Sequence, residues 1–179
     1  MRYDLRQARP DDLDGARSVI LDTLYRDLGY GYTPAWHGDV IDLEGAYLRT
    51  PRHALFVAAL THDDGREEVV ATTAVRAVAP TSPPHPAWLA ERYPAGRTAQ
   101  LFRVYVRPEH RRHGLARGLV DLATRFVAET PGYDVLCLHT DTRVEGAEGF
   151  WRSVAKEIHD ARDGDPARFQ TVHFEIPFG

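Results

Sequence analysis

The residues best suited to chemistry lie between Leu101 and Gly118, where an apolar run ends in a short basic turn and leads into a helical pattern. At the start of a helix the first N–H groups have no partner within the helix, and the helix dipole adds positive potential there. Gly114 and Ala116 carry little bulk, so an anion can approach the backbone, while Arg111, Arg112, His113 and Arg117 add charge around it. The chemistry predicted is the binding of a phosphate or pyrophosphate. No Gly-Lys-Ser/Thr follows, and Gly-x-Gly-x-x-Gly is absent, so neither a nucleoside triphosphate loop nor a dinucleotide fingerprint is present.

The elements that must position this turn can be read from periodicity. Ala99 to Arg107 is a strand that Pro108 ends, and Gly114 to Glu129 a helix with Leu115, Leu119, Leu122 and Phe126 along one stripe. Upstream, Tyr3 to Ala8 reads as a strand and Arg9-Pro-Asp-Asp as a helix start. Leu13, Ala16, Ile20, Leu24 and Leu28 form a helical face ending at Gly29. A shorter helix is expected over Ile41 to Leu48. Strands Ala54 to Leu60 and Glu68 to Ala77 flank an Asp-Asp-Gly turn, and Pro80 to Thr98 reads as an irregular surface connection. Val135 to His139 is a buried type of strand, Val144 to Val154 a helix, and Phe169 to Ile176 a last strand. This predicts an α/β fold over residues 1–179 as one domain, with a mixed sheet of six or seven strands and about four helices.

Composition agrees with a globular chain: 179 residues, 43% apolar and 27% charged, with a net charge of −4. That balance argues against nucleic acid or anionic lipid as the main partner. One cysteine, Cys137, allows no internal disulfide, and neither a signal peptide nor an apolar run of membrane-spanning length is seen, so a cytoplasmic location is expected. The nine histidines are scattered and His110 with His113 lacks a supporting acidic or thiol ligand, so no metal site is expected.

The basic turn resembles the acetyl-CoA signature of the GNAT superfamily of N-acetyltransferases. Arg111-x-x-Gly114-x-Ala116 follows Val104-x-Val106-x-Pro108, and the Arg-Pro-Asp-Asp opening and the segment from Leu138 to Ala147 are similar to the family as well. The resemblance implies that Arg111, Arg112, His113, Gly114, Leu115, Ala116 and Arg117 hold the pyrophosphate of acetyl-CoA. It also implies that the backbones of Val104 and Val106 pair with its pantetheine arm, the Val104 N–H serving as an oxyanion donor. The acceptor would lie near the aromatic segment containing Tyr30, Tyr32 and Trp36, with Arg143 as a further contact; core packing and loop anchoring is the competing reading of those rings.

The reaction implied is acetyl transfer to a small primary amine by direct attack on the thioester. An alkyl ammonium of pKa near 10.4 costs roughly 4.6 kcal/mol to deprotonate at pH 7, whereas a thiolate of pKa near 8.5 departs readily. A base therefore matters more than an acid, and His139 and Asp141 are the candidates. The sequence departs from the family at two places: Trp151 stands where a proton-donating tyrosine is usual, and Ala155 where a glycine is usual. The missing tyrosine keeps open a non-catalytic acyl-CoA-binding sensor or partner module. Trp88, Leu89 and Tyr93 leave the Pro80 to Thr98 connection open as a lid or a homodimer contact.

Overall fold

The structure is a computed structural model that describes all 179 residues. Seven strands, β1 (Arg2–Gln7), β2 (Ala54–Thr61), β3 (Glu67–Arg76), β4 (Thr98–Val106), β5 (Val135–Asp141), β6 (Lys156–Asp160) and β7 (Thr171–Glu175), form a mixed sheet hydrogen-bonded in the order β1-β2-β3-β4-β5-β7-β6. The chain divides into two compact units, Met1–Arg76 with Phe102–Ala123, and Ala77–Leu101 with Thr124–Gly179. No helix is long and apolar enough to cross a membrane.

In the first unit, β1 (Arg2–Gln7), β2 (Ala54–Thr61) and β3 (Glu67–Arg76) form an antiparallel meander. β2 is buried on both faces up to its last residue, which explains its continuous apolar run. Helix α1 (Leu13–Asp22) buries Leu13, Ala16, Val19 and Ile20 at the spacing the sequence displays. These side chains pack with Leu24, Val40, Leu43 and Tyr47 against Leu55, Val57, Val69 and Ala74. Asp12 fixes the helix entry by accepting the Arg9 N–H at 2.8 Å and the Arg6 guanidinium at 2.9 Å.

Beyond Asp22 the helix widens into a π-type turn over Thr23–Asp27, and Gly29, at φ +76°, ends it as expected. The second helix lies earlier than predicted: α2 spans Pro34–Ile41, and the Ile41 to Leu48 region contains only the helix end and a second π-type turn, Glu44–Leu48. Pro34 supplies the first-turn signal that the apolar spacing alone did not weigh.

The second unit contains α3 (Ala87–Arg92), β5 (Val135–Asp141), α5 (Ala147–Val154), β6 (Lys156–Asp160) and β7 (Thr171–Glu175). β7 lies between β5 and β6 and is antiparallel to both. Two elements differ from expectation. The Pro80 to Thr98 connection contains α3, which buries Leu89 and Tyr93 against Cys137. β6 was not predicted; its sequence, Lys-Glu-Ile-His-Asp, alternates too weakly to announce a strand. Helix α5 starts at Ala147, because Gly146 takes φ +79° before it. Cys137 is buried, and burial together with Glu175 pushes its thiol up to about 12.

Strand β4 (Thr98–Val106) and helix α4 (Leu115–Glu129) are divided between the units. Within the second unit, Thr98–Gln100 pair in parallel with Val135–Cys137. Within the first unit, β4 ends at Val106, a 3-10 turn covers Pro108–His110, and α4 begins at Leu115.

Candidate functional site

In the first unit the segment between β4 and α4 is built as a backbone cradle. Arg112 takes φ +65° and Gly114 φ +73°, so the chain turns twice in the left-handed region before the helix begins. A Cβ placed on Gly114 would meet nothing within 4 Å, so the face of the turn is open at that point. The Gly118 N–H donates to the Gly114 carbonyl at 2.9 Å as the helix begins, and the first-turn N–H groups of a helix point out past its N-terminus. Leu115 is buried at 4% exposure and can contribute only its main chain, whereas Arg112, His113 and Arg117 are exposed around the rim. A pyrophosphate suits such a cradle, since it accepts several hydrogen bonds and carries the charge the helix dipole attracts.

Two arginines beside this turn are committed within the protein. The Arg111 guanidinium donates to Asp27 at 2.8 Å and to the Val106 carbonyl at 3.2 Å. Arg107 donates to Asp22 at 2.6 Å and to Ser18 at 3.0 Å. The end of α1 and the π-type turn after it therefore grip the loop through two carboxylates, neither of which the sequence reading singled out. An α-helical repeat places Asp22 and Asp27 on different faces, and the signal that unites them is the π-type widening.

Tyr30, Tyr32 and Trp36 are brought together around the buried imidazole of His37, at ring distances of 6.0, 6.0 and 6.3 Å. Trp36 and Tyr30 keep 57% and 44% exposure and lie at the surface, whereas Tyr32 is half-buried and packs against the core, as the competing reading expects. The core-packing alternative describes Tyr47, which is buried and donates to Asp39 at 2.5 Å. His37 accepts the Thr33 N–H at 2.7 Å, and burial, reinforced by Arg103, holds its pKa below the ordinary histidine value.

In the second unit His139 and Asp141 occupy the end of β5 with different surroundings. The Asp141 carboxylate receives the Arg143 guanidinium at 2.7 Å, the Arg143 N–H at 3.1 Å and the Gln170 N–H at 3.2 Å. Burial opposes its ionisation, but these donors win and hold its pKa below the usual carboxylate range. Asp141 thus has its lone pairs occupied, and Arg143 is committed to it and to the Pro166 carbonyl. Such an arrangement closes a turn; it is poorly disposed to receive a proton.

His139 keeps part of its surface exposed and stands in a row of imidazoles. It is the cross-strand partner of His173, which pairs in turn with His159 on β6. His85 lies over both His139 and His173, with ring centres at 5.1 and 4.7 Å. Burial and the neighbouring His85 lower His139 to about 4, and burial with His139, His85 and His159 lowers His173 to about 3. His139 Nδ1 lies 3.3 Å from the side-chain amide nitrogen of the buried Gln100. No group of three or more His, Cys, Asp or Glu is arranged to hold a metal ion. Trp151, on α5, is buried at 6% exposure with its ring against Phe150.

The model of the acetyltransferase (GNAT) family matches residues 18–155, which include both the cradle and the β5–α5 segment. The chain belongs to the GNAT acetyltransferase family. Its members transfer acyl groups from acyl-CoA donors, so this GNAT chain is an acetyltransferase. Solved GNAT structures share its fold at low sequence identity. An acetyltransferase of the family from Staphylococcus aureus Mu50 superposes with a TM-score of 0.69 at 14% identity, covering 98% of this chain and 100% of that one. The ribosomal-protein-S18-alanine N-acetyltransferase from Escherichia coli gives 0.65 at 16% identity over 99% and 95%. A putative phosphinothricin N-acetyltransferase gives 0.64 at 17% over 99% of both chains. No curated protein matches this GNAT sequence.

Proposed function

We propose that the protein transfers the acetyl group of acetyl-CoA to a small primary amine by direct attack of the neutral amine on the thioester carbonyl. The observation that carries this reading is the cradle of Arg111 to Ala116, with its two left-handed residues and open face at the start of α4. Main-chain N–H groups there would hold the pyrophosphate, with Arg112, His113 and Arg117 screening its charge and Arg111 bracing the loop from behind. The backbones of Val104 and Val106 would pair with the pantetheine arm, and the Val104 N–H would receive the charge that develops on the carbonyl oxygen. Acetyl-CoA supplies the activated acyl group and a thiolate that leaves without assistance.

His139 is the base in this reading, and Asp141 supports it only by fixing the turn that follows. With a pKa of about 4, His139 lies roughly six units below an alkyl ammonium. It is too weak to strip that proton beforehand. It is suited to taking the proton from nitrogen after the C–N bond has formed, when the ammonium of the tetrahedral adduct is far more acidic. The role uses the arrangement in which the Gln100 amide oxygen accepts from Nδ1–H, leaving Nε2 with its lone pair; the two amide orientations interchange by a half-turn of the terminal group. The patch of Tyr30, Tyr32 and Trp36 would receive the acceptor, its rings favouring an amine that carries an apolar group.

Acetyl-CoA-dependent thiol release on a panel of amines, amino acids and peptides tests the reading. Release with small amines, lost in folded Gly114→Val, is expected. Release only with peptides would overturn the acceptor class, and unchanged acetyl-CoA affinity in Gly114→Val would overturn the cradle.

A further inference from the structure

Arg103 is the one residue inside a strand of this chain that takes a left-handed conformation without being glycine, at φ +54°. L side chains rarely adopt it, so the surroundings must hold it in place. They do so through four bonds, all within the first unit. The guanidinium grips Asp39, Nη2 to Oδ1 at 2.6 Å and Nε to Oδ2 at 3.1 Å. Nη2 also donates to the Trp36 carbonyl at 2.8 Å. The main-chain carbonyl of Arg103 accepts the Thr72 hydroxyl of β3 at 2.7 Å.

The pair is buried, with side-chain exposures of 8% for Arg103 and 2% for Asp39. Burial would raise the Asp39 carboxyl, but Arg103 overrides it and, with the Tyr47 hydroxyl, holds the group ionised. A buried ion pair of this kind is generally no more stabilising than apolar side chains of the same volume, so stability is a weak reason for it. What the pair does supply is direction. The peptide linking Arg103 to Val104 is planar, so a carbonyl fixed on Thr72 aims the Val104 N–H the opposite way.

We propose that Asp39 and Arg103 are positioning residues whose buried ion pair, together with Thr72, holds the kink in β4 and so aims the Val104 N–H at the thioester carbonyl. The proposal rests on the reading that Val104 receives that carbonyl. The Trp36 carbonyl ties the same guanidinium to the aromatic patch, so the oxyanion donor and the acceptor patch share one anchor.

The test is difference infrared spectroscopy of [1-13C]acetyl-CoA bound to the protein, with the affinity for CoA lacking the acetyl group measured alongside. Bound to the unsubstituted protein, the thioester carbonyl stretch is expected at lower frequency than in solution. In Asp39→Leu/Arg103→Met, which removes both charges, that shift should vanish while CoA affinity stays within about threefold, because the cradle is untouched. Arg103→Lys keeps the charge without the fork and should give an intermediate shift. Thr72→Val frees the Arg103 carbonyl at nearly constant volume and should also reduce the shift. A full shift in the folded double variant would overturn the proposal. If the double variant does not fold, a full shift in Thr72→Val overturns it instead. No shift in the unsubstituted protein, with CoA still bound, would remove the Val104 reading and the proposal with it; failure to bind CoA at all would remove the cradle.

Discussion

The carboxylate of Asp27, in the turn that ends α1, holds the Arg111 guanidinium at 2.8 Å, so the first arginine of the cradle is braced from behind. The pair is partly exposed and contributes little to stability, within about 1 kcal/mol. Its effect belongs to ligand binding. Asp27→Ala and Arg111→Ala should each weaken acetyl-CoA binding by about three- to tenfold, and the double variant no more than the worse single one. Calorimetric dissociation constants for the four proteins check this. Additive losses would mean that Arg111 meets the ligand independently of Asp27.

Gly114 adopts φ +73° on the open face of the cradle. Gly114→Val adds a left-handed penalty of about 1–2 kcal/mol for a residue with a Cβ, and it puts branched bulk where the pyrophosphate should lie. Thermal unfolding should show the first effect, and a loss of at least tenfold in acetyl-CoA affinity the second.

The imidazoles of His85, His139 and His173 are held below the ordinary histidine pKa, His85 by burial alone and the other two by burial together with neighbouring imidazoles. In the unfolded chain each returns to about 6.5. Above that pH both states are neutral and stability is unaffected. As pH falls below 6.5 the unfolded chain takes up protons that the folded one refuses, so stability is lost progressively toward pH 4. Urea unfolding at pH 7.5, 6 and 5 should show a falling midpoint. His173→Phe, which removes the most buried ring, should flatten the decline.

Trp151 has no proton to give near neutral pH, so its contribution is packing. Trp151→Phe should change kcat/KM by less than about tenfold, short of the 10² to 10⁴ expected for losing a general acid. Steady-state kinetics on a folded variant check it.

If His139 takes the proton after the C–N bond forms, His139→Ala should lower kcat by about a hundredfold. The loss should be similar across pH 7 to 9, while the rise of rate with free amine persists in both proteins. Asp141→Asn should instead lower the melting temperature with a smaller effect on kcat, because its carboxylate holds Arg143 and the Gln170 N–H. A pH-rate series on both variants separates the two roles.

What could be read ahead of the structure follows a physical division. The turn before α4 was legible because its chemistry is local: a strand end, basic residues, a glycine and a helix start all fall within some fifteen residues. The amphipathic stripes of α1 and α4 were legible for the same reason. Asp39, Arg103, Thr72 and Gln100 were not, because each acts through a partner tens of residues away, and nothing in the local pattern of β4 marks a left-handed arginine. The row of His139, His173 and His159 was hidden likewise, since only the β5-β7-β6 strand order makes neighbours of them. Helix α3 was missed because the prolines around it masked a single turn and a half of helix.

The burial of Cys137 has a practical consequence at the bench. A thiol held at about 12 carries almost no thiolate at pH 8, and the thiolate is the form that attacks disulfide reagents. As it is the only cysteine in the chain, a colorimetric disulfide dye added to the folded protein should register the CoA set free by turnover and almost nothing from the protein. A slow increase in colour without substrate would then report opening of helix α3, whose Leu89 packs with Cys137, making the same reagent a gauge of how intact each variant remains during its assay.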